Sequence, residues 1–206
     1  MARQERSEQT REAFIAAALN LCREGGPEAV SARRLGRLLG LSQMAVYRHF
    51  QDMEELMAHA WDRAFRELLT AIEPVLTGCD SHRDLHRGLM AYVRFGLENP
   101  GLYRLMFFHH FSRSEVLENQ NTGLEGLDLL RNVIGRCLRE QGGAVSDPDL
   151  HGMALQAWFS IHGLTTAAIS GRFGRVSDEE PVDVASGQVE RLCRSFLLPR
   201  PDGSVS

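Results

Sequence analysis

Four side chains near residue 45 have the chemistry to contact DNA: Gln43, Met44, Tyr47 and Arg48. Their spacing of i, i+1, i+4 and i+5 places them on one face of a helix. An amide can pair with adenine and a guanidinium with guanine or phosphate, while a thioether can touch a thymine methyl and a phenol hydroxyl can reach a phosphate. The same pattern also fits an ordinary solvated helix face, so the elements that position these residues decide between the two interpretations.

Two short helices are predicted around this face. Ser31 is a typical N-cap for a helix over residues 32–39, which Gly40 ends, and Ser42 is expected to cap a helix over residues 43–50. Two short helices joined by a glycine-containing turn predict a helix-turn-helix, whose second helix enters the major groove. The apolar positions predicted to pack inward are Leu35, Leu38, Leu41, Ala45, Val46 and Phe50.

Charge is unevenly distributed along the 206-residue chain, whose formal net charge is −4. Residues 1–50 carry a net charge of +3, and residues 51–206 carry −7. No acidic residue lies between Glu28 and Asp52, a stretch that contains Arg33, Arg34, Arg37 and Arg48. A basic region that coincides with the predicted helix-turn-helix favours a nucleic-acid partner, and an acidic remainder indicates a separate role.

The segment GLSQMAVYRHF over residues 40–50, followed by Asp52-Met53-Glu54-Glu55-Leu56, resembles the recognition-helix signature of TetR-family transcriptional regulators. Met53 occupies a place where that family commonly has lysine, so we expect one phosphate contact fewer per subunit and a stronger dependence on the arginines. By resemblance, the phosphate contacts are assigned to Ser42, Tyr47 and His49, further backbone contacts to Ser31 and to Arg33 or Arg34, and base contacts to Gln43, Met44 and Arg48.

Helical periodicity continues beyond this region, and the sequence predicts an all-α protein with about nine helices. Asp52 and Glu55 form a capping box that opens the fourth helix, and Asp147 with Pro148 opens the eighth. The predicted helices cover residues 7–24, 32–39, 43–50, 53–76, 82–97, 102–111, 124–139, 148–170 and 183–198. The predicted domains are a helix-turn-helix DNA-binding domain (1–51), a helical ligand-binding and dimerisation domain (52–198) and a polar tail (199–206).

The run from Trp158 to Gly163 has the Trp-x-x-x-His-Gly pattern of the WHG-type C-terminal domain found in part of the TetR family, and residues 99–103 fit that domain too. This resemblance implies a homodimer through the last two long helices. Trp158 and His162 lie one helical turn apart, so they either line a pocket for a flat or amphipathic organic ligand or belong to the core. The same two interpretations apply to the weaker pocket candidates Phe95, Tyr103, Phe107 and His110.

Other classes of function find little support in the sequence. No apolar run is long enough for a membrane span and the start does not resemble a signal peptide, so we expect a cytoplasmic protein without a membrane partner. No motif indicates an enzyme or a cofactor, and Cys79, His82 and His86 would fill at most part of a metal site, so we expect no metal. The sequence thus predicts a ligand-responsive transcriptional repressor that binds a near-palindromic operator in double-stranded DNA as a dimer and is released by an unidentified small-molecule effector. Repression is the habit of the family and activation stays open; the alternative is a helical protein-interaction adaptor without specific DNA binding.

Overall fold

Most of the chain is helical in the part that the computed structural model describes, which comprises residues 2–111, 122–143, 146–175 and 177–196. No strand occurs in these ranges, and eight α-helices together with the short Gln43–Arg48 helix give the predicted number of nine. The α-helices are α1 (Ala2–Gly25), α2 (Ala32–Leu39), α3 (Met53–Ile72), α4 (Ser81–Glu98), α5 (Pro100–Phe108), α6 (Thr122–Glu140), α7 (Asp147–Ile169) and α8 (Pro181–Ser195). The all-α prediction is confirmed.

Side-chain caps explain where α2 and α3 begin. Ser31 Oγ accepts a hydrogen bond from the Arg34 N–H at 3.3 Å, as an N-cap should. The Asp52 half of the predicted box at α3 is formed, because Asp52 Oδ1 accepts from the Glu55 N–H at 2.9 Å. Glu55 Oε2 accepts in turn from the backbone N–H of Gln51 at 2.6 Å. These side chains satisfy N–H groups that have no partner inside their helix.

Several boundaries differ from the prediction. Ser146, and not Asp147, is the N-cap of α7, since its hydroxyl accepts from the Asp149 N–H at 3.3 Å. Helix α3 ends at Ile72 and is followed by a 3₁₀ helix over Glu73–Val75, because a proline at position 74 disfavours the α conformation of the residue before it. Helix α5 ends at Phe108, three residues before the predicted end. The predicted tail, residues 199–206, and the last residues predicted for α8 lie outside the described part of the chain.

The chain forms two compact units. The first comprises Met1–Glu67 and Asn99–Gly123, and the second comprises Leu68–Glu98 and Leu124–Ser206. This partition joins α5 to the N-terminal helices, whereas the predicted domain limit lies at residue 51. The two units are defined by packing alone, so the predicted boundary between a DNA-binding and a ligand-binding domain at residue 51 stays a prediction.

Within the first unit, α5 lies directly against the end of α1. A Cβ atom on Gly101 would lie 2.0 Å from the Cys22 carbonyl oxygen, so only glycine allows this approach. Arg104 donates a hydrogen bond to the Gly25 carbonyl oxygen at 3.2 Å, and Trp61 Nε1 of α3 donates to the Met106 carbonyl oxygen at 2.9 Å. These contacts fix α5 to both α1 and α3.

Within the second unit, α4 packs against α7 and α8. Asp84 of α4 is fully buried and accepts four hydrogen bonds: from the Thr77 and Gly78 N–H groups at 2.9 and 2.8 Å, the Thr77 hydroxyl at 3.0 Å and Arg136 at 2.9 Å. Desolvation acts to raise the pKa of this carboxyl, but these donors more than offset it and hold the pKa below its ordinary value. Asp84 thereby ties α6 to the loop that precedes α4.

We expect Asp84→Asn to lower the free energy of unfolding by about 2–4 kcal/mol at neutral pH, because an amide cannot accept from Gly78 and Arg136 while also accepting from Thr77. The stabilisation by the carboxylate is present above its unfolded-state pKa and is lost as the pH falls through the lower native pKa. Urea unfolding as a function of pH should show wild type and variant converging in acid. Asp80→Asn is the control, because the Asp80 side chain is 45 % exposed and an asparagine still caps α4 at the Arg83 N–H. Equal stability of Asp84→Asn and wild type at neutral pH would contradict the role of this carboxylate.

Candidate nucleic-acid interface

The turn between α2 and the Gln43–Arg48 helix is built on two glycines. Gly40 has φ of 66°, a left-handed conformation that favours glycine, and it ends α2 as predicted. The Leu41 N–H donates to the Gly36 carbonyl oxygen at 2.8 Å, which closes the turn onto α2.

Gly36 is a functional position that the sequence analysis missed. A Cβ atom there would lie 2.7 Å from the Leu41 carbonyl oxygen and 3.1 Å from the Gln43 backbone nitrogen, both of which are backbone atoms that cannot move independently. The absence of a side chain at position 36 therefore sets how closely the Gln43–Arg48 helix approaches α2. A small residue four positions before the turn glycine was the available signal.

The second helix is shorter than predicted and has 3₁₀ geometry over Gln43–Arg48, the form that short helical pieces commonly take. Ala45, Val46 and Phe50 are buried as expected, each at most 2 % exposed. Ser42 occupies the N-cap position, but its side chain makes no capping hydrogen bond.

The inward placement predicted for Leu38 and Leu41 is wrong. Leu38 is 59 % exposed and Leu41 38 % exposed. The buried side of α2 is centred between Leu35 and Gly36, and at about 100° per residue Leu38 lies roughly 110° from that centre. Leu41 lies in the turn itself, where its carbonyl oxygen approaches α2 at Gly36.

Most of the residues predicted to contact DNA are exposed on α2, the turn and the Gln43–Arg48 helix. Met44 is 61 % exposed and Tyr47 45 % exposed. The other exposed members of the set are Ser31, Arg33, Arg34, Ser42, Gln43 and Arg48. Arg37, which the prediction did not include, is exposed as well and adds a positive charge. The arrangement offers amide, thioether, phenol and guanidinium groups to a partner in one basic region.

Two members of the set are also held by the protein. Arg34 Nη1 donates to the Ala29 carbonyl oxygen at 3.1 Å, which fixes its side chain over the start of α2. His49 is half-buried, with its ring centroid 5.9 Å from that of Phe14. Their assignments to phosphate stay predictions.

The six predicted pocket residues are divided between the two units. Tyr103, Phe107 and His110 belong to the first unit. Tyr103 is buried with its ring centroid 4.7 Å from that of Phe107, which lies 5.4 Å from Phe65 of α3, whereas His110 is exposed. The two rings thus join an aromatic cluster between α3 and α5.

The remaining pocket candidates, Phe95, Trp158 and His162, belong to the second unit. The rings of Trp158 and His162 lie 5.2 Å apart, so the predicted i, i+4 pairing is formed. His162 Nδ1 lies 2.9 Å from the hydroxyl of Tyr92 on α4, a partner that the sequence analysis did not identify. Burial lowers the pKa of His162, which favours the neutral ring at neutral pH.

The described helices carry neither a membrane span nor a metal site. None of them is long and apolar enough to cross a bilayer. In the same part of the chain, no group of three or more His, Cys, Asp or Glu side chains could hold a metal ion.

A basic helix-turn-helix joined to a larger helical body defines a DNA-binding transcriptional regulator. Residues 14–60 match the family described as bacterial regulatory proteins, tetR family, and residues 85–192 match the tetracyclin repressor-like C-terminal domain. The second match alone spans more than half of the chain. This protein belongs to the TetR family of transcriptional regulators and is not an enzyme.

Individual relatives are distant. The uncharacterized HTH-type transcriptional regulator YobS of Bacillus subtilis (strain 168) is 23 % identical over 171 residues, which cover 82 % of this chain and 84 % of that protein. A structure of a protein with unknown function from Rhodococcus sp. RHA1 has a TM-score of 0.74 at 23 % identity, covering 90 % of this chain and 94 % of that one. The TetR family transcriptional regulator PfmR from Thermus thermophilus has a TM-score of 0.63 at 24 % identity, covering 88 % and 97 %. At this identity the structures support the fold alone.

Loss of a predicted phosphate contact and loss of a predicted base contact should affect DNA binding differently. Tyr47→Phe is expected to weaken binding to all DNA sequences by about 1 kcal/mol, because it would remove the hydrogen bond that we predict between the Tyr47 hydroxyl and a phosphate. Gln43→Ala is expected to relax preference at one base position by about 1–3 kcal/mol. Affinity measurements on a panel of single-base operator variants separate the two outcomes. Wild-type affinity and base preference in both variants would show that another face contacts DNA.

Gly36→Ala should displace the Gln43–Arg48 helix, because the new Cβ atom meets backbone at 2.7 Å. We expect a loss of about 1–3 kcal/mol in the free energy of unfolding together with weaker operator binding. Gly126→Ala on α6 is the control, since a Cβ atom there would meet only the Leu69 side chain, at an ordinary contact distance of 3.7 Å, and alanine favours a helix. Unaltered stability and DNA affinity in Gly36→Ala would show that the close approach is not required.

Proposed function

We propose that this protein is a ligand-responsive repressor that binds a near-palindromic operator as a homodimer and is released by a small organic molecule. The observation that carries the proposal is the exposed Gln43, Met44, Tyr47 and Arg48 face within a stretch that has no acidic residue between Glu28 and Asp52. Family membership supports DNA binding in general. The operator, the direction of regulation and the effector belong to the proposal.

On DNA, Gln43, Met44 and Arg48 contact base edges in the major groove. The hydroxyls of Ser42 and Tyr47 and the ring of His49 contact phosphates, together with Ser31 and Arg33 or Arg34 at the start of α2. Two copies of the Gln43–Arg48 helix enter successive major grooves about 34 Å apart, which requires a two-fold symmetric protein.

We assign the dimer interface to α7 and α8, which pack against each other in the second unit. Phe159 of α7 is 58 % exposed, a large apolar side chain that a partner subunit would cover. A Cβ atom on Gly152 or Gly163 would have no heavy atom within 4 Å, so α7 offers small residues that let a second helix approach closely. A symmetric four-helix contact would bury this surface.

We place the effector in the second unit, beside Trp158 and His162. The indole gives a flat apolar wall, and the Tyr92 and His162 pair, 2.9 Å apart, gives hydroxyl and imidazole groups that can exchange their mutual hydrogen bond for one with a ligand. This chemistry suits a planar or amphipathic organic molecule. The effector releases DNA only to the extent that it binds the free protein more tightly than the operator-bound protein. A coupling free energy of about 3 kcal/mol between effector and operator would change the affinity for the operator about a hundredfold.

A repressor must act where the DNA is, so we also propose a cytoplasmic location. In this mechanism the protein blocks transcription while bound to its operator, and binding of the effector ends the block. Selection of bound duplexes from a random-sequence pool, with purified wild-type protein at about 0.15 M salt, tests the central step. We expect an enriched two-fold symmetric motif.

An enriched motif without symmetry would contradict the dimeric operator, and no enrichment would contradict specific DNA binding and favour the helical adaptor. The operator then allows small aromatic compounds to be screened for release. A true effector must weaken operator binding at saturation, and a compound that binds the free and operator-bound protein equally would not fit the proposed mechanism.

A further inference from the structure

Arg11 of α1 contacts three side chains around the C-terminal end of the Gln43–Arg48 helix. Its Nη2 lies 2.6 Å from His59 Nε2 and 3.9 Å from Glu55 Oε1, both on α3. Its Cζ lies 4.9 Å from the centre of the Phe50 ring, within the range of a cation–π contact. The Arg11 side chain is 25 % exposed, so most of it is committed to this packing.

Phe50 is the residue through which Arg11 reaches the DNA-binding helix. It lies two residues after the end of that helix in the sequence, and its N–H donates to the Val46 carbonyl oxygen at 3.0 Å. Its buried ring packs edge-on against Phe14 with centroids 6.5 Å apart, and lies 6.1 Å from the His59 ring. The position of Phe50 therefore sets where the helix ends.

The contact between Arg11 and His59 requires a neutral imidazole. A guanidinium has only donors, so His59 Nε2 must be the acceptor and the proton must lie on Nδ1. Burial and then the charge of Arg11 lower the pKa of His59 below its ordinary value, which favours this state. A protonated ring would lose the hydrogen bond and place two cations side by side.

We propose that Arg11 is a positioning residue for DNA binding: it fixes the end of the Gln43–Arg48 helix through Phe50 and neutral His59, and protonation of His59 releases it. The inference rests on the proposed assignment of the base contacts to that helix. In this role Arg11 acts through its contacts with Phe50 and His59 and not by contact with DNA.

The charged groups around His59 are consistent with this role. Arg11 and Glu12 face it from α1, and Glu55 and Asp62 from α3. Glu12 pairs with Arg63 at 2.8 Å and Asp62 with Arg66 at 2.6 Å, so both carboxylates already have cationic partners. Glu55 Oε1 lies 4.0 Å from His59 Nε2, and a protonated ring would be drawn to it and away from Arg11.

The first test compares Arg11→Gln and Arg11→Lys on the selected operator as a function of salt at about pH 8. We expect Arg11→Gln to weaken specific binding roughly tenfold and the lysine variant to restore part of the loss, since lysine can still donate to His59 and stack on Phe50. The control is Arg23→Gln on the same helix, which loses only the half-exposed pair with Glu67 and should bind as wild type. A positioning residue makes no phosphate contact, so the salt dependence of Arg11→Gln should equal that of wild type; a slope reduced by about one would overturn the positioning role.

The second test follows pH from about 8 to about 5.5. Added positive charge alone strengthens DNA binding, whereas release of Phe50 weakens it, so the inference requires wild-type affinity to fall on acidification. His59→Gln supplies an acceptor that cannot be protonated, and its affinity should not fall over this range. A wild-type affinity that rises or stays constant, or the same fall in His59→Gln, would overturn the inference.

The outcomes separate this inference from the proposed function. Wild-type protein that selects an operator, with Arg11→Gln binding it at full affinity, overturns the positioning role alone. Wild-type protein without sequence preference overturns the proposed function and this inference together. Circular dichroism and thermal unfolding establish that each variant is folded, and if Arg11→Gln does not fold, the pH profiles of wild type and His59→Gln decide.

Discussion

The DNA-binding face depends on one steric constraint, the close approach of the backbone at residues 41–43 to α2 at Gly36. A Cβ atom there would lie 2.7 Å from the Leu41 carbonyl oxygen. Because these atoms are backbone, no side-chain rotation relieves the collision, and the Gln43–Arg48 helix can lie at this distance only against glycine. The left-handed turn at Gly40 and the buried Val46 then fix which side of the short helix is exposed. The basic surface is a consequence of this backbone packing.

The other end of the short helix is held by side chains from different helices. Phe50 packs against Phe14 of α1 and His59 of α3, and Arg11 lies over its ring. Helix α5 extends the same unit, with Gly101 at the Cys22 carbonyl oxygen and Trp61 donating to the Met106 carbonyl oxygen. The helix-turn-helix is therefore one part of a larger packed unit that includes a helix more than forty residues further along the chain. A six-residue 3₁₀ helix has little stability of its own, so packing within this unit must stabilise it.

The second unit contains two different kinds of polar group, the buried carboxylate of Asp84 and the hydrogen-bonded pair of Tyr92 and His162. Asp84 accepts four hydrogen bonds and ties α6 to the loop before α4, so it acts as a fixed point in that unit. The Tyr92 hydroxyl and His162 Nδ1, by contrast, are joined by a hydrogen bond whose donor depends on the tautomer. A buried carboxylate with this many donors resists change, whereas a hydroxyl and imidazole beside an indole can adapt to a ligand.

Features that depend on neighbouring residues could be predicted from the amino-acid sequence. Ser31, Gly40 and Asp52 act as caps because a cap involves atoms within one turn, and the exposed face follows from spacing along one helix. Long-range packing determined instead that Leu38 is exposed, that Gly36 must lack a side chain, and that Arg11 meets His59 48 residues away and Tyr92 meets His162 70 residues away. Periodicity shows which residues share a face, but the direction of that face and its distant partners follow from how whole helices pack.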